Sequence, residues 1–227
     1  MFNKYNYNEA MKLKCLWLFS FLLVFAVFFS CSRAEPEILY GFMDLVYYPG
    51  RERPVERYSF FVLPEDDDGV ENLSELYLYH DREGLRWLLT SDDWIEHVED
   101  GKTWIGSRNI AMFDDNPLPR GQYRAVLYNR GGESTERRFT FDGPESPPYP
   151  FPVLSVGEGT YHIDSLYPVN RFIGYDQQGK IISNITVREL DGNLRDLRLP
   201  SAARTIALWA EEPLYRTSVL TEAVVVR

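Results

Sequence analysis

The chain has 227 residues, 44% of them hydrophobic and 26% charged, and a formal charge of −10. That length admits one or two domains with a sizeable core, and the balance excludes a disordered or fibrous chain. The acidic charge argues against nucleic-acid binding, which needs a basic footprint for phosphate. Aromatic residues at 15% lean the reading towards strands.

Lys12 and Lys14 precede an apolar run from Cys15 to Phe29, broken only by Ser20. Its 15 residues fit the hydrophobic region of a secretory signal and fall short of a membrane-spanning helix. Phe28-Phe29-Ser30-Cys31 at its end resembles the lipobox of bacterial lipoproteins, in the relaxed form of spirochaetes. Phe28 stands where that family usually has leucine and Phe29 where it has a small residue, whereas Ser30 and Cys31 fit. The resemblance implies a signal peptide over 1–31, lipidation (including palmitate) at Cys31, and residence in the cell envelope. Membrane contact would come through the acyl anchor, since paired acyl chains hold a protein stably.

The charge and cysteine counts agree with this. Without residues 1–31, which carry Lys4, Lys12, Lys14 and Glu9, 21 basic and 33 acidic residues remain, a charge of −12. An acidic body is repelled by anionic headgroups, so its surface is not expected to seek the membrane. The only two cysteines are Cys15, in the apolar run, and Cys31. The remainder then has no thiol for a disulfide, a nucleophile or a metal, and must be held by core burial.

Past the signal, the chain reads as strands. Leu85–Thr90 is a strand candidate carrying Trp87, and Ser91–Val98 could make one short turn of helix with Ser91 or Asp92 as its cap. Residues 121–133, with Gly121, Tyr123, Ala125, Leu127, Asn129 and Gly132, resemble the F strand and F–G turn of an immunoglobulin-like domain. The resemblance implies that Tyr123 is the corner tyrosine, that Ala125 replaces the F-strand cysteine, that Trp87 is the strand-C tryptophan and that Ser134–Phe141 is strand G.

Residues 142–152 hold five of the 14 prolines and read as a semi-rigid spacer. The expected organisation is therefore mainly β. It comprises an immunoglobulin-like β-sandwich over 37–142, a Pro-rich linker over 143–152 and a second small β domain over 153–227; a proline-rich loop within one larger sandwich is the competing reading. In the second half, Arg171–Tyr175 and Lys180–Glu189 read as a hairpin turning at Gly179. Asp191–Asn193 reads as a turn, and Leu194–Leu199, Thr205–Ala210 and Ser218–Val226 as strands.

Catalytic motifs are sparse. There is no Gly-x-Ser-x-Gly elbow and no phosphate-binding loop, and His80, His97 and His162 lack zinc-type spacing. Glu65–Asp68 and Asp114–Asn116 are acidic runs that read as solvated loops, with weak calcium sites as the competing reading. No catalytic residue, metal or cofactor is expected. Trp94, Trp104 and Tyr79 are the speculative ligand-binding residues, because flat apolar rings with polar edges suit glycans and peptides. A role in the core is the favoured reading for these rings; if one of them is exposed, Trp94 is the expected one. The expected function is a lipid-anchored envelope protein with a non-catalytic binding or assembly role and an envelope protein or glycan as partner. A carbohydrate- or peptidoglycan-binding module is the alternative. An envelope hydrolase is a third class, to be marked by paired carboxylates in a cleft.

Overall fold

The computed structural model describes residues 34–226, so the signal segment and Cys31 lie outside the described residues. The chain from Pro36 onward forms one compact unit. Its first eight strands are β1 (Glu37–Tyr48), β2 (Val55–Glu65), β3 (Leu73–His80), β4 (Leu85–Thr90), β5 (Ile95–Glu99), β6 (Lys102–Ile110), β7 (Gly121–Asn129) and β8 (Ser134–Phe141). Residue alternation sets their faces. Met43, Leu45 and Tyr47 of β1, Tyr58, Phe60 and Val62 of β2, and Tyr123, Ala125 and Leu127 of β7 all enter one core.

The order β1-β2-β6-β5 in one sheet faces β4-β3-β7-β8 in the other. Aromatic rings lock the two faces together: Tyr58 meets Tyr123 at 5.5 Å and Phe141 at 4.9 Å, and Phe60 meets Phe139 at 5.6 Å. The result is a β-sandwich with the A-B-E-D and C′-C-F-G strand arrangement of immunoglobulin-like domains. The Tyr123 hydroxyl donates to Pro119 O at 2.6 Å, four residues upstream, which is the tyrosine-corner bond. Ala125 is fully buried. Trp87 differs from expectation: it lies on β4, in the C′ position, while β3 occupies the place of strand C. There it packs partly buried against the core and donates from Nε1 to Ala111 O at 2.8 Å.

The remaining strands are β9 (Val153–Gly157), β10 (Thr160–Asp164), β11 (Val169–Tyr175), β12 (Ile181–Val187), β13 (Asp191–Asn193), β14 (Thr205–Glu212), β15 (Thr217–Leu220) and β16 (Val224–Val225). The sheet β13-β10-β9 covers β11 and β14 around a second core of Leu154, Tyr161, Ile163, Phe172, Ile206 and Leu208. Two expectations fail locally. Leu194–Leu197 is a 3₁₀ turn rather than a strand, because a three-residue period puts Leu194 and Leu197 on one side, against that core. Asp191–Asn193, read as a turn, is itself a short strand on β10.

The two halves share a sheet. β15 pairs in parallel with β1, Leu45 opposite Thr217 and Tyr47 opposite Val219, so one nine-stranded sheet runs β12-β11-β14-β15-β1-β2-β6-β5, with β16 on β14. Arg216 pins the joint: its carbonyl accepts from Leu45 N at 3.0 Å, and its side chain donates to Asp44 Oδ1 at 3.2 Å and to Met43 O. Residues 142–152 are strandless, as their prolines dictate, yet they are held along their length. Pro144 O accepts from Tyr47, Tyr149 and Phe151 pack on the first core, and the Tyr149 hydroxyl donates to Glu212 at 3.1 Å.

A candidate ligand-binding groove

Side chains that alternate away from the first core line the outer face of the long sheet. On β1 these are Phe42, Asp44, Val46 and Tyr48; on β2, Arg57, Ser59 and Phe61. β14 and β15 add Trp209, Glu211, Ser218 and Leu220 across the joint. Together with β5, β6, β11 and β12 they enclose a groove of about 640 Å³. Val46, Phe61, Ser218 and Ile173 are only 1%, 3%, 4% and 7% exposed although they face outward, so they form a shielded floor between taller walls.

One end of the groove is aromatic. Phe42 stacks on Phe61 at 5.5 Å and meets Trp104 at 5.6 Å, and His97 of edge strand β5 stands opposite Trp104. The middle is charged and internally paired. Asp44 meets Arg216 at 3.2 Å, and Glu211 meets Arg171 at 3.8 Å. Burial raises the Asp44 carboxyl above its usual range, against the pull of Arg216 and with help from the neighbouring charge of Glu211. At the far end Arg57 lies 5.0 Å over the Tyr48 ring and donates to Asn109 Oδ1. Burial raises the Tyr48 hydroxyl while the charges of Arg57 and Arg108, both of which line the groove, pull it down.

The three residues expected to bind ligand do not meet. Trp104 lines the groove. Trp94 is only 8% exposed and belongs to the first core, in line with the favoured core reading and not with its use as an exposed ligand platform, because the turn at 91–94 folds its ring over the sandwich end. Tyr79 sits on the outer face of the other sheet, stacked on Tyr77 at 5.7 Å beneath Arg124 at 4.5 Å. Trp209, Phe42 and Tyr48 were not singled out in the sequence; the signal that could have found them is their parity, opposite to the core residues beside them.

The acidic runs close on themselves. Asp66 Oδ1 accepts from Asp68 N and Asn72 Nδ2, and Asp114 Oδ1 accepts from Asn116 N. Among the described residues no three His, Cys, Asp or Glu side chains converge in a metal-ligand group, and no helix is long and apolar enough to cross a membrane. On the small sheet, register puts Ser155, His162 and Asp191 in one row, with His162 Nδ1 and Asp191 Oδ1 2.6 Å apart. The three are exposed on an open face, and no hydrogen bond joins Ser155 to His162.

No protein-family model matches the chain, and no curated protein matches it. Among solved structures it is similar to dimeric latent PorU from Porphyromonas gingivalis, with 14% identity and a TM-score of 0.32 over 85% of this chain. The chain spans 20% of that one. It is also similar to a chain in the complex of Dpr11 IG1 with DIP-gamma IG+IG2, at 14% identity and a TM-score of 0.25, covering 83% of this chain and 98% of that one. At these scores neither likeness adds to the strand order and tyrosine corner.

Proposed function

We propose that this chain is a lipid-anchored cell-envelope protein with a non-catalytic binding role, exercised through the groove across the joint. The groove carries the binding part of the reading: its shielded apolar floor, aromatic walls and few fixed polar groups are the composition of ligand sites. The anchor part rests on the basic start, the apolar run and Ser30-Cys31. Asp44 and Glu211 face each other's side of the groove, but each is engaged by an arginine, which favours a fixed charge pattern over an acid–base pair.

Carbohydrate is the ligand class that one observation favours, since Trp104 and Phe42 offer rings at the groove wall. Binding to envelope glycans that disappears in Trp104→Ala, with melting unchanged, would select it. The anchor is tested by intact mass and detergent partitioning of the wild type beside Cys31→Ala. Cleavage before Cys31 with added acyl mass, lost in the variant, is the expected result. An unacylated wild-type product would remove the lipoprotein reading.

A further inference from the structure

The groove's charges are unevenly matched. Asp44 and Glu211 each have an arginine, and Glu99 stands opposite Lys102 on β6. Arg108 lies six residues along the same strand from Lys102, about 20 Å away at the usual strand rise. Arg57 and Arg108, by contrast, form no ion pair among the described residues. Arg57 has a neutral partner in Asn109, its Nε is buried without an acceptor, and Arg108 is exposed. Two uncompensated guanidinium groups in one groove are unusual on a chain of charge −10, where carboxylates abound. Guanidinium forks match planar anions, carboxylates above all, through paired charge-assisted hydrogen bonds.

The position of the groove narrows the ligand further. Its floor lies on a sheet face, on strands between the edges β12 and β5 whose backbone groups are already spent on their neighbours. A peptide captured by strand addition would have to lie along the outer side of β12 or β5 and not on this floor. A face offers only side chains: rings for apolar C–H surfaces, and amides and forks for oxygen atoms. Those are the groups a sugar chain uses. We propose that the groove binds an acidic saccharide, its carboxylate held by Arg108 and by Arg57, which lies over Tyr48, and its sugar rings running towards Phe42 and Trp104. This rests on the groove being the binding site.

The test titrates three probes into the full chain in detergent, followed by calorimetry and by the indole N–H signals of Trp104 and Trp209. The probes are a tetrasaccharide alternating glucuronate with N-acetylglucosamine, the neutral tetramer of N-acetylglucosamine, and tetraglutamate. The acidic tetrasaccharide is expected to shift both indoles and to bind at least about ten-fold tighter than the neutral one, with a similar loss in Arg108→Gln, as charge-assisted bonds are removed. Arg108 is exposed, so an unchanged melting curve checks that the variant folds. Equal binding of the neutral tetramer, or an unaffected Arg108→Gln, overturns the carboxylate assignment and leaves the groove as a site. Binding of tetraglutamate alone overturns the saccharide class. If no probe moves either indole, the groove reading falls with the inference.

Discussion

Arg120 shows how one side chain can organise a sandwich end. Its guanidinium donates to both oxygens of Glu56, at 2.8 and 2.9 Å, and also to Leu118 O, Gly143 O and Pro144 O. Glu56 is 4% exposed and accepts in addition from Leu118 N at 2.9 Å. Burial works against the Arg120 charge, but its bonds to Glu56 and the neighbouring Tyr58, Glu56 and Tyr47 together outweigh it and hold the guanidinium protonated more firmly than usual. The pair thus ties β2, the approach to the tyrosine corner and the start of the Pro-rich stretch. Truncating one partner, Glu56→Ala, leaves a buried guanidinium uncompensated and is expected to cost about 3–5 kcal/mol. Replacing both with apolar residues of similar volume, Glu56→Leu with Arg120→Met, is expected to recover much of that loss. Urea denaturation of Glu56→Leu, Arg120→Met and the double decides it; a double loss equal to the sum of the two single losses would mean the pair has no mutual role.

At the scale of elements, β6 lies against β2 only because residue 106 lacks a side chain. A Cβ at Gly106 would collide with the Phe60 carbonyl and the Phe61 backbone. Gly106→Ala should therefore push β6 off β2 and destabilise by about 1–3 kcal/mol, as overpacking does, lowering the melting midpoint by several degrees. An unchanged midpoint would show that the two strands part at no cost. The neighbouring strands also show what could be read in advance. The β11–β12 hairpin follows from period-two alternation and a glycine turn, signals that are local in sequence, and β8 stands where the immunoglobulin-like resemblance implies strand G. The immunoglobulin-like pattern at 121–133 likewise held, down to the Tyr123 bond. Ser91–Val98 is not the short helical turn expected of it but a turn leading into β5. β5 was hidden because it is an edge strand exposed at every position, so it has no alternation; its one local sign is the Asp100-Gly101 turn, both residues at positive φ. The choice of Trp94 as the ring to be exposed, if any was, failed because a ring in a polar turn looks exposed, whereas it closes the end of a core. The groove was the least legible feature, since Trp104, Trp209 and Tyr48 are brought together by β1–β15 pairing between segments about 170 residues apart.

That pairing makes the stability of the whole molecule a single question. Tyr167, Ala210 and Val219 come from the second half, yet all three belong to the first core. Losing the second sandwich would strip β15 from β1, leaving one ladder of β1 unpaired, its Val46 exposed and the first core open at Val219. Losing the first would take from β15 its parallel neighbour and the Arg216 contacts. Neither half can keep its native contacts alone, although each has a hydrophobic cluster. Heating is therefore expected to give one cooperative transition, with calorimetric and van't Hoff enthalpies in agreement. A fragment beginning at Val153 is expected to lack a cooperative transition of its own, because its share of the first core would be exposed apolar surface. Two resolved transitions in the full chain, with the later one reproduced by the isolated fragment, would instead mean that the Pro-rich stretch separates independent modules. The groove across the joint would then be able to open and close by the movement of one module against the other.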